Sequence, residues 1–122
     1  MTKKILVVDD SPSVRHMIER TLLNAGYTVA TASDGRDALT QAMAFRPDAV
    51  LTDQNMPNLD GLGFCQAFRA SAVHAGVPVI FLSTDSSPDL KQRARDAGAL
   101  GWLVKPFDAP KLLGVMAKVV GS

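Results

Sequence analysis

The stretch KKILVVDDSP, residues 3–12, decides the fold. Its apolar run, residues 5–8, is short, unbroken and rich in branched side chains, which is typical of a β-strand buried on both faces. Two adjacent aspartates end the run, and a Ser-Pro pair follows. Neighbouring carboxylates repel each other and are costly to desolvate. Either they lie in water at the start of the next helix, or they bind a cation.

Composition and charge restrict the classes of function. The chain has 122 residues, 47% hydrophobic and 20% charged, as expected for one domain with a core. A net charge of +1, with no basic run longer than Lys3-Lys4, argues against a nucleic acid or an anionic membrane as partner. The single Cys65 fits a reducing compartment, and no apolar run reaches the roughly 20 residues of a membrane span. We therefore expect a cytoplasmic protein with one domain over residues 1–122 and no effector domain.

Five short apolar runs alternate with five helical patterns along the chain. Ser11, Asp34, Ser87 and Asp108 are candidate residues at helix starts, and Phe64, Cys65 and Phe68 form the inner face of the third helix. This alternation predicts a parallel sheet with helices on both faces and a functional crevice beyond the carboxyl ends of the strands. The apolar runs that mark the strands are residues 5–8, 29–32, 49–51, 77–82 and 102–104.

Polar residues follow four of these apolar runs. The first strand ends in Asp9 and Asp10, the third in Asp53, the fourth in Ser83 and the fifth in Lys105. Each alone has an ordinary explanation, as a loop carboxylate, a strand-end hydroxyl or a solvated ammonium. Because the carboxyl ends of parallel strands share one edge, we expect them to lie together.

Three carboxylates with one lysine suit a hard divalent cation such as Mg²⁺, which prefers oxygen ligands. If a phosphoryl group is added, a carboxylate can act as nucleophile and form an acyl phosphate. The metal and Lys105 would neutralise the phosphoryl oxygens, and a hydroxyl would bond one of them. The pattern predicts a phospho-accepting aspartate, and the aspartate pair would hold the metal.

Four segments carry a resemblance to a known family. The chain resembles the receiver domain of two-component response regulators, with the stand-alone CheY-like chemotaxis regulators as the nearest architecture. The resemblance covers residues 3–120 and implies a flavodoxin-like doubly wound sheet of order 2-1-3-4-5 with five helices. The segments are ILVVDDSP, LTDQNMPNLDG, VIFLST and GWLVKPF, residues 5–12, 51–61, 79–84 and 101–107.

The resemblance implies a metal-dependent phosphoacceptor. Asp53 would accept a phosphoryl group from a sensor histidine kinase or a phosphotransfer protein. Asp10, Asp53 and the backbone carbonyl of Asn55 would bind Mg²⁺ directly, and Asp9 through a water. Lys105 would pair with Asp53 or its phosphate, ahead of a cis peptide to Pro106.

The resemblance also implies a switch. Ser83, where Thr is frequent, would move toward the phosphate, and Trp102, bulkier than the usual Tyr or Phe, would respond. Asn55 and Asp85 would tune the hydrolysis of the phosphoryl group. Ser83 and Trp102 thus depart from the usual residues of the family, which affects the expected kinetics of phosphorylation and switching but not the chemistry of the site.

The leading interpretation is a phosphorylation-controlled binding module, not an enzyme, that also phosphorylates itself from small donors and dephosphorylates itself. Chemotaxis, with a flagellar motor switch protein or a phosphatase as partner, is the first expectation. A phosphorelay shuttle or a phosphate sink would need the same residues.

Two other classes fit less well. A haloacid-dehalogenase-type phosphohydrolase needs a second Asp two residues after its nucleophile, where this chain has Ser11 or Pro12. A flavin-binding domain would place a phosphate against the two carboxylates, which would repel it.

Several residues are expected to have no catalytic or metal-binding role. His16 and His74 lie away from the strand ends and are expected to be solvated. Cys65 is expected in the core. Met17, Met43 and Met116 are expected to pack.

Overall fold

The strands form one parallel sheet. The computed structural model describes residues 2–74 and 76–120, apart from the side chain of residue 73. The strand order is β2-β1-β3-β4-β5, as the resemblance implied, so that β1, β3 and β4 are central. The strands are β1 (Lys4–Val8), β2 (Thr28–Ala32), β3 (Ala49–Asp53), β4 (Val79–Ser83) and β5 (Gly101–Val104).

Five α-helices connect and follow the strands. The predicted N-caps Ser11, Asp34 and Ser87 each accept a hydrogen bond from the backbone N–H three residues later, which satisfies a donor that the helix leaves unpaired. No helix within residues 2–74 and 76–120 has the length and apolar character to cross a bilayer. The helices are α1 (Pro12–Asn24), α2 (Gly35–Phe45), α3 (Gly61–Ala70), α4 (Pro88–Asp96) and α5 (Ala109–Val120), with a 3₁₀ turn at Ala72–His74.

The third strand is longer than its apolar run. The apolar run ends at Leu51, whereas the sequence predicts that the strand itself ends at Asp53, and the pairing of Thr52 and Asp53 with Phe81 and Leu82 of β4 confirms this. The fourth strand begins at Val79, two residues later than predicted. Asp53 is therefore the last residue of a central strand, so that the sheet fixes its backbone.

The core has two layers, one on each face of the sheet. Alternate residues of β1 point to opposite faces: Leu6 and Val8 pack in one layer, and Ile5 and Val7 in the other. The first layer includes Phe64 and Phe68 of α3 with Phe81, Leu90 and Ala94, and the second includes Ile18, Leu22, Leu51, Leu82, Leu112 and Met116.

The expectation that His74 is solvated is wrong. Its side chain is buried, and its ring stacks on that of Phe68 with 4.4 Å between centroids. Arg69 donates from Nη1 to the backbone oxygen of His74 at 3.1 Å. The burial arises from tertiary contacts that no local pattern shows. His16, in contrast, is exposed as expected.

Two of the three methionines expected to pack are exposed instead. Met17 has 43% and Met43 has 65% of its surface accessible, because both lie on the outer faces of their helices. Met116 is fully buried, as expected. Cys65 is also buried, and its thiol donates to the backbone oxygen of Ala97 at 3.2 Å.

Candidate functional site

Three carboxylates meet where β1 and β3 end. Asp9, Asp10 and Asp53 each offer an oxygen atom that lies within 4.8 Å of the other two. Asp9 is buried, the side chain of Asp53 is 14% exposed, and Asp10 is exposed to solvent. Two ligands on opposite sides of a Mg²⁺ ion, each at about 2.1 Å, lie about 4.2 Å apart. The spacing and the oxygen donors therefore fit a Mg²⁺ ion, with one side open to water or a phosphoryl group.

One ammonium group serves this cluster. Lys105 follows β5, and its Nζ lies 3.0 Å from Asp9 Oδ2 and 3.5 Å from Asp53 Oδ1. The peptide bond from Lys105 to Pro106 is cis, as the resemblance implied. A single positive charge cannot neutralise three carboxylates, so the cluster has excess negative charge at the open end of the sheet.

Hydrogen bonds fix both the backbone and the side chain of Asp9. Its backbone N–H donates to Ala32 O at 3.2 Å, and its Oδ1 accepts the Ser11 N–H at 2.9 Å. Its backbone oxygen accepts a 2.6 Å hydrogen bond from Nη1 of Arg15 on α1. Sequence reasoning missed Arg15, since an arginine on a helix face usually points to solvent.

Asp53 has an unusual electrostatic environment. Burial raises the pKa of the Asp53 carboxyl above its ordinary value of 3.8, the nearby Lys105 ammonium opposes that rise, and the Asp9 carboxylate adds to it. The backbone N–H of Gln54 donates to Asp53 Oδ1 at 2.9 Å. A carboxyl whose pKa is shifted both by burial and by specific charged neighbours is typical of a functional site.

The segment after Asp53 is anchored by Gln54, which sequence reasoning also missed. Gln54 is 7% exposed, and its Oε1 accepts the backbone N–H of Leu62 at 2.9 Å. Its Nε2 donates to Asp60 Oδ2 at 3.4 Å, and its backbone oxygen accepts the Gly61 N–H at 2.9 Å. One side chain thus ties the residue after the strand to the first turn of α3. A polar residue directly after an apolar strand was the available signal.

Two glycines let the β3–α3 loop pack closely. A Cβ atom at Gly61 would lie 2.5 Å from the backbone oxygen of Asp53, and one at Gly35 would collide with the backbone oxygen of Leu59. The loop is also tied to α2, because Asn58 Nδ2 donates to Asp34 Oδ2 at 2.7 Å. Neither glycine position can carry a side chain without moving the loop.

The remaining predicted site residues lie near the cluster without bonding to it. Ser83 is 2% exposed, and its Oγ accepts the Asp85 N–H at 3.0 Å. Asp85 is exposed and accepts the Ser87 N–H, while Asn55 is exposed in the loop after β3. Within the described residues, no hydrogen bond joins the side chains of Ser83, Asn55 or Asp85 to the three carboxylates. Ser83 does connect to Lys105 through the backbone, since its oxygen accepts the Lys105 N–H at 2.9 Å.

Trp102 lies on β5 at the edge of the sheet. Its ring stacks on Phe81 with 5.7 Å between centroids and 11° between planes. Its Nε1 is buried and has no hydrogen-bond partner among the described residues. The indole also lines a cavity of about 210 Å³ beside α4, together with Lys91, Ala94 and Leu100. Trp102 is therefore packed on one side and has open space on another.

The chain matches a known family over most of its length. Residues 5–117 match the model of the response regulator receiver domain, and the chain belongs to this family. Receiver domains are signalling domains that are phosphorylated on an aspartate, bind Mg²⁺ in an acidic pocket and interact with sensor histidine kinases.

The chain also resembles a curated relative and a solved structure of a chemotaxis protein. The transcriptional regulatory protein PrrA of Mycobacterium tuberculosis is 46% identical over 110 residues, 90% of this chain and 46% of PrrA. The chain spans about half the length of the curated relatives it matches. The chemotaxis protein CheY4 of Vibrio cholerae is 44% identical with a TM-score of 0.95, covering 98% of this chain and 99% of CheY4.

A further solved structure contains a metal ion. The receiver domain of the sensor histidine kinase PA1611 of Pseudomonas aeruginosa is 32% identical, has a TM-score of 0.91 and matches 100% of both chains. That structure is described with a magnesium ion coordinated in its active site cleft. Together with CheY4, it confirms the CheY-like flavodoxin fold of this chain.

Proposed function

We propose that Asp53 is the phosphoacceptor of this receiver domain and that phosphorylation controls the binding of a partner. The observation that supports this choice is the position of Asp53 at the end of a central strand, with Lys105 Nζ 3.5 Å from its Oδ1. Asp9 is buried and already paired with the same ammonium at 3.0 Å, whereas Asp10 has no such pairing.

In the proposed transfer, an Asp53 oxygen attacks the phosphorus of a phosphohistidine or of a small acyl phosphate. An O–P bond forms, the bond to the donor's imidazole nitrogen or carboxylate oxygen breaks, and the donor leaves with its electron pair. Asp53 Oδ1 accepts the Gln54 N–H and faces Lys105. Oδ2 accepts no hydrogen bond from any described residue, so we assign the attack to Oδ2.

The residues that would hold Mg²⁺ are Asp10, Asp53 and the backbone carbonyl of Asn55, with Asp9 acting through a water. When bound, the ion neutralises charge on the transferred phosphoryl group. Lys105 supplies a second positive charge from the side of β5. The excess negative charge of the cluster supports this assignment, because the carboxylates repel one another without a cation.

Phosphorylation is proposed to act through Ser83 and Trp102. The Ser83 hydroxyl would turn from the Asp85 N–H toward the phosphoryl group, and the indole would then move further inward. The open space on the α4 side of Trp102, and an Nε1 without a partner among the described residues, support a change in the position of the ring. Asn55 and Asp85, both exposed near the site, are proposed to tune hydrolysis of the phosphoryl group.

For the output, the comparisons support two candidates. The end-to-end likeness to CheY4 supports a chemotaxis role with a flagellar motor switch protein or a phosphatase as partner. The likeness to PrrA, which covers 46% of that protein, supports transcriptional control. A phosphorelay shuttle or a phosphate sink would use the same site. We propose that the chain acts in the cytoplasm, with a sensor histidine kinase or a phosphotransfer protein as its phosphodonor in each case.

The phosphoacceptor assignment is tested by labelling. With Mg²⁺ and acetyl phosphate, the wild-type chain should gain one phosphoryl group, measured as a mass increase that is lost in acid or base. Asp53→Asn should abolish the mass increase, since the amide cannot attack phosphorus. The site can be confirmed by reduction of the acyl phosphate with borohydride and peptide mapping.

The matched control is Asp89→Asn, an exposed carboxylate on α4, which should be labelled like the wild type. Labelling of Asp53→Asn at the wild-type level, mapped to Asp9 or Asp10, would contradict the assignment.

A further inference from the structure

Arg15 contacts the peptide bond that joins the two aspartates after β1. Its Nη1 donates to the backbone oxygen of Asp9 at 2.6 Å, and this oxygen belongs to the Asp9–Asp10 peptide. Arg15 lies in the first turn of α1, where long side chains point back toward the helix N-terminus. Arg15 is partly buried, and its hydrogen bond to Asp9 is partly shielded from water.

The backbone of Asp9 is therefore fixed at both of its polar groups. Its N–H donates to Ala32 O on β2, and its carbonyl accepts from Arg15. The direction of the Asp9 carbonyl determines the orientation of the next peptide unit and hence the position of the Asp10 Cα atom. The Asp10 side chain is exposed, and none of the hydrogen bonds between described residues holds its carboxylate. Within residues 2–74 and 76–120, the position of Asp10 is therefore set through its backbone.

We propose that Arg15 is a positioning residue for the metal site: by holding the Asp9–Asp10 peptide, it directs the Asp10 carboxylate toward Asp9 and Asp53. This inference rests on the proposed function, because it assumes that the three carboxylates bind Mg²⁺. Arg15 itself contacts neither the metal nor the phosphoryl group. Its effect is transmitted through one backbone carbonyl.

The charge of Arg15 would act in the opposite direction. A guanidinium near a cation site repels the cation, so its removal should tighten Mg²⁺ binding if charge were its only contribution. That effect is screened by solvent at a half-exposed position and is worth at most roughly fivefold in affinity. Loss of a residue that orients a metal ligand typically weakens binding by roughly 10- to 100-fold. The sign of the change in affinity thus separates the two roles.

The first test is Mg²⁺ binding by calorimetry to the full chain. Arg15→Gln should weaken binding by about tenfold, and Arg15→Lys should weaken it less, because lysine keeps the charge and one donor but not the planar fork. Arg20→Gln, which removes an exposed arginine from the same helix, is the matched control and should bind like the wild type. Asp10→Ala gives the reference for complete loss of the ligand.

The second test is the Mg²⁺ dependence of labelling by acetyl phosphate. For Arg15→Gln, the Mg²⁺ concentration for half-maximal rate should rise by about tenfold, and the rate at saturating Mg²⁺ should approach that of the wild type. A general structural defect would lower the maximal rate and the melting temperature without Mg²⁺, and would leave the half-saturation point unchanged.

Two outcomes would overturn the inference. Arg15→Gln could bind Mg²⁺ as tightly as the wild type or more tightly, or its defect could persist at saturating Mg²⁺. If Arg15→Gln does not fold, Arg15→Lys decides: its nitrogen is one bond closer to the backbone than Nη1 of Arg15, so wild-type Mg²⁺ affinity in that variant would contradict positioning through this hydrogen bond. A wild-type chain that binds no Mg²⁺ and is not labelled would contradict the proposed function instead.

Discussion

Two cationic side chains hold different parts of this fold together in different ways. Lys105 lies between carboxylates at the open end of the sheet, 3.0 Å from Asp9 and 3.5 Å from Asp53. Arg69 lies at the end of α3 and donates to neutral backbone carbonyls. Its Nε and Nη2 donate to Gly98 O at 3.1 and 2.9 Å, and its Nη1 donates to His74 O at 3.1 Å.

The difference shows which region is built to bind a ligand. Arg69 connects α3 to the 3₁₀ turn and to the segment before β5. Its guanidinium donates to backbone carbonyls near the ends of these elements, which have no helical hydrogen-bond partner. Around Lys105, negative charge remains in excess, because one ammonium faces a cluster of three carboxylates. The first arrangement stabilises the fold, and the second remains incomplete without a ligand.

The largest expected effect comes from Lys105→Met. Without the ammonium, a buried carboxylate and a mostly buried one lose their counter-ion, so the free energy of unfolding should fall by about 3 kcal/mol without Mg²⁺. Saturating Mg²⁺ should reduce the difference from the wild type, because the ion can replace the missing charge. Urea unfolding with and without Mg²⁺ measures both effects. Lys111→Met, at an exposed position on α5, is the matched control and should be neutral.

Arg69→Met should have a somewhat smaller effect of a different kind. The variant loses charge-assisted hydrogen bonds to two carbonyls, which should lower the free energy of unfolding by about 2 kcal/mol. Because Arg69 is remote from the carboxylates, Mg²⁺ should leave this loss unchanged. Arg93→Met, an exposed arginine on α4, provides the control. A loss that Mg²⁺ reverses would show that the two regions are coupled.

The stability difference between Asp53→Asn and the wild type should depend on pH, unlike that of Arg69→Met. Since burial raises the pKa of Asp53 in the folded state, the folded chain holds that proton more tightly than the unfolded chain. The resulting stability is present below the unfolded value of 3.8 and is lost as the pH rises through the folded pKa. Asp53→Asn should therefore be more stable than the wild type at pH 7, with an advantage that disappears as the pH falls toward 3.8. Unfolding free energies between these limits measure it, and a constant difference would contradict this explanation.

The smallest expected effect is a change in the fluorescence of Trp102. Mg²⁺ with beryllofluoride, a phosphoryl mimic, should change the emission of Trp102, the only tryptophan, whereas Mg²⁺ alone should do much less. One new charge-assisted hydrogen bond to Ser83, about 1.5–3 kcal/mol, is enough to make a minor conformer dominant. Ser83→Ala should blunt the change. A flat spectrum and unchanged quencher access, with the mimic demonstrably bound, would exclude Trp102 as the switch.

Local patterns predicted most of the fold. Ser11, Asp34 and Ser87 could be recognised as helix caps because a cap depends on residues within one turn. The pattern began the fourth strand at Val77, where its apolar run starts, although pairing with β3 begins only at Val79. Pairing between distant strands is not visible in a single run of residues.

The candidate site was predicted less completely. The carboxylates and Lys105 could be placed together because the sheet topology brings strand ends to one edge. The contacts of Arg15 and Gln54 could not, because each depends on the path of a flexible side chain to a backbone atom. The burial of His74 was missed for another reason: the turn after α3 folds the ring back onto Phe68, and the helical pattern does not show where the chain goes after the helix ends.

The close packing of the β3–α3 loop has a consequence for large-scale mutagenesis. Gly35 and Gly61 should tolerate substitution as poorly as Asp53, although neither carries a functional group. In a saturation scan scored by signalling, the three positions would look alike. Scored by protein abundance, substitutions at the two glycines should deplete the folded protein, while Asp53→Asn should accumulate normally. The pair of scores would thus separate positions constrained by space from the position constrained by chemistry.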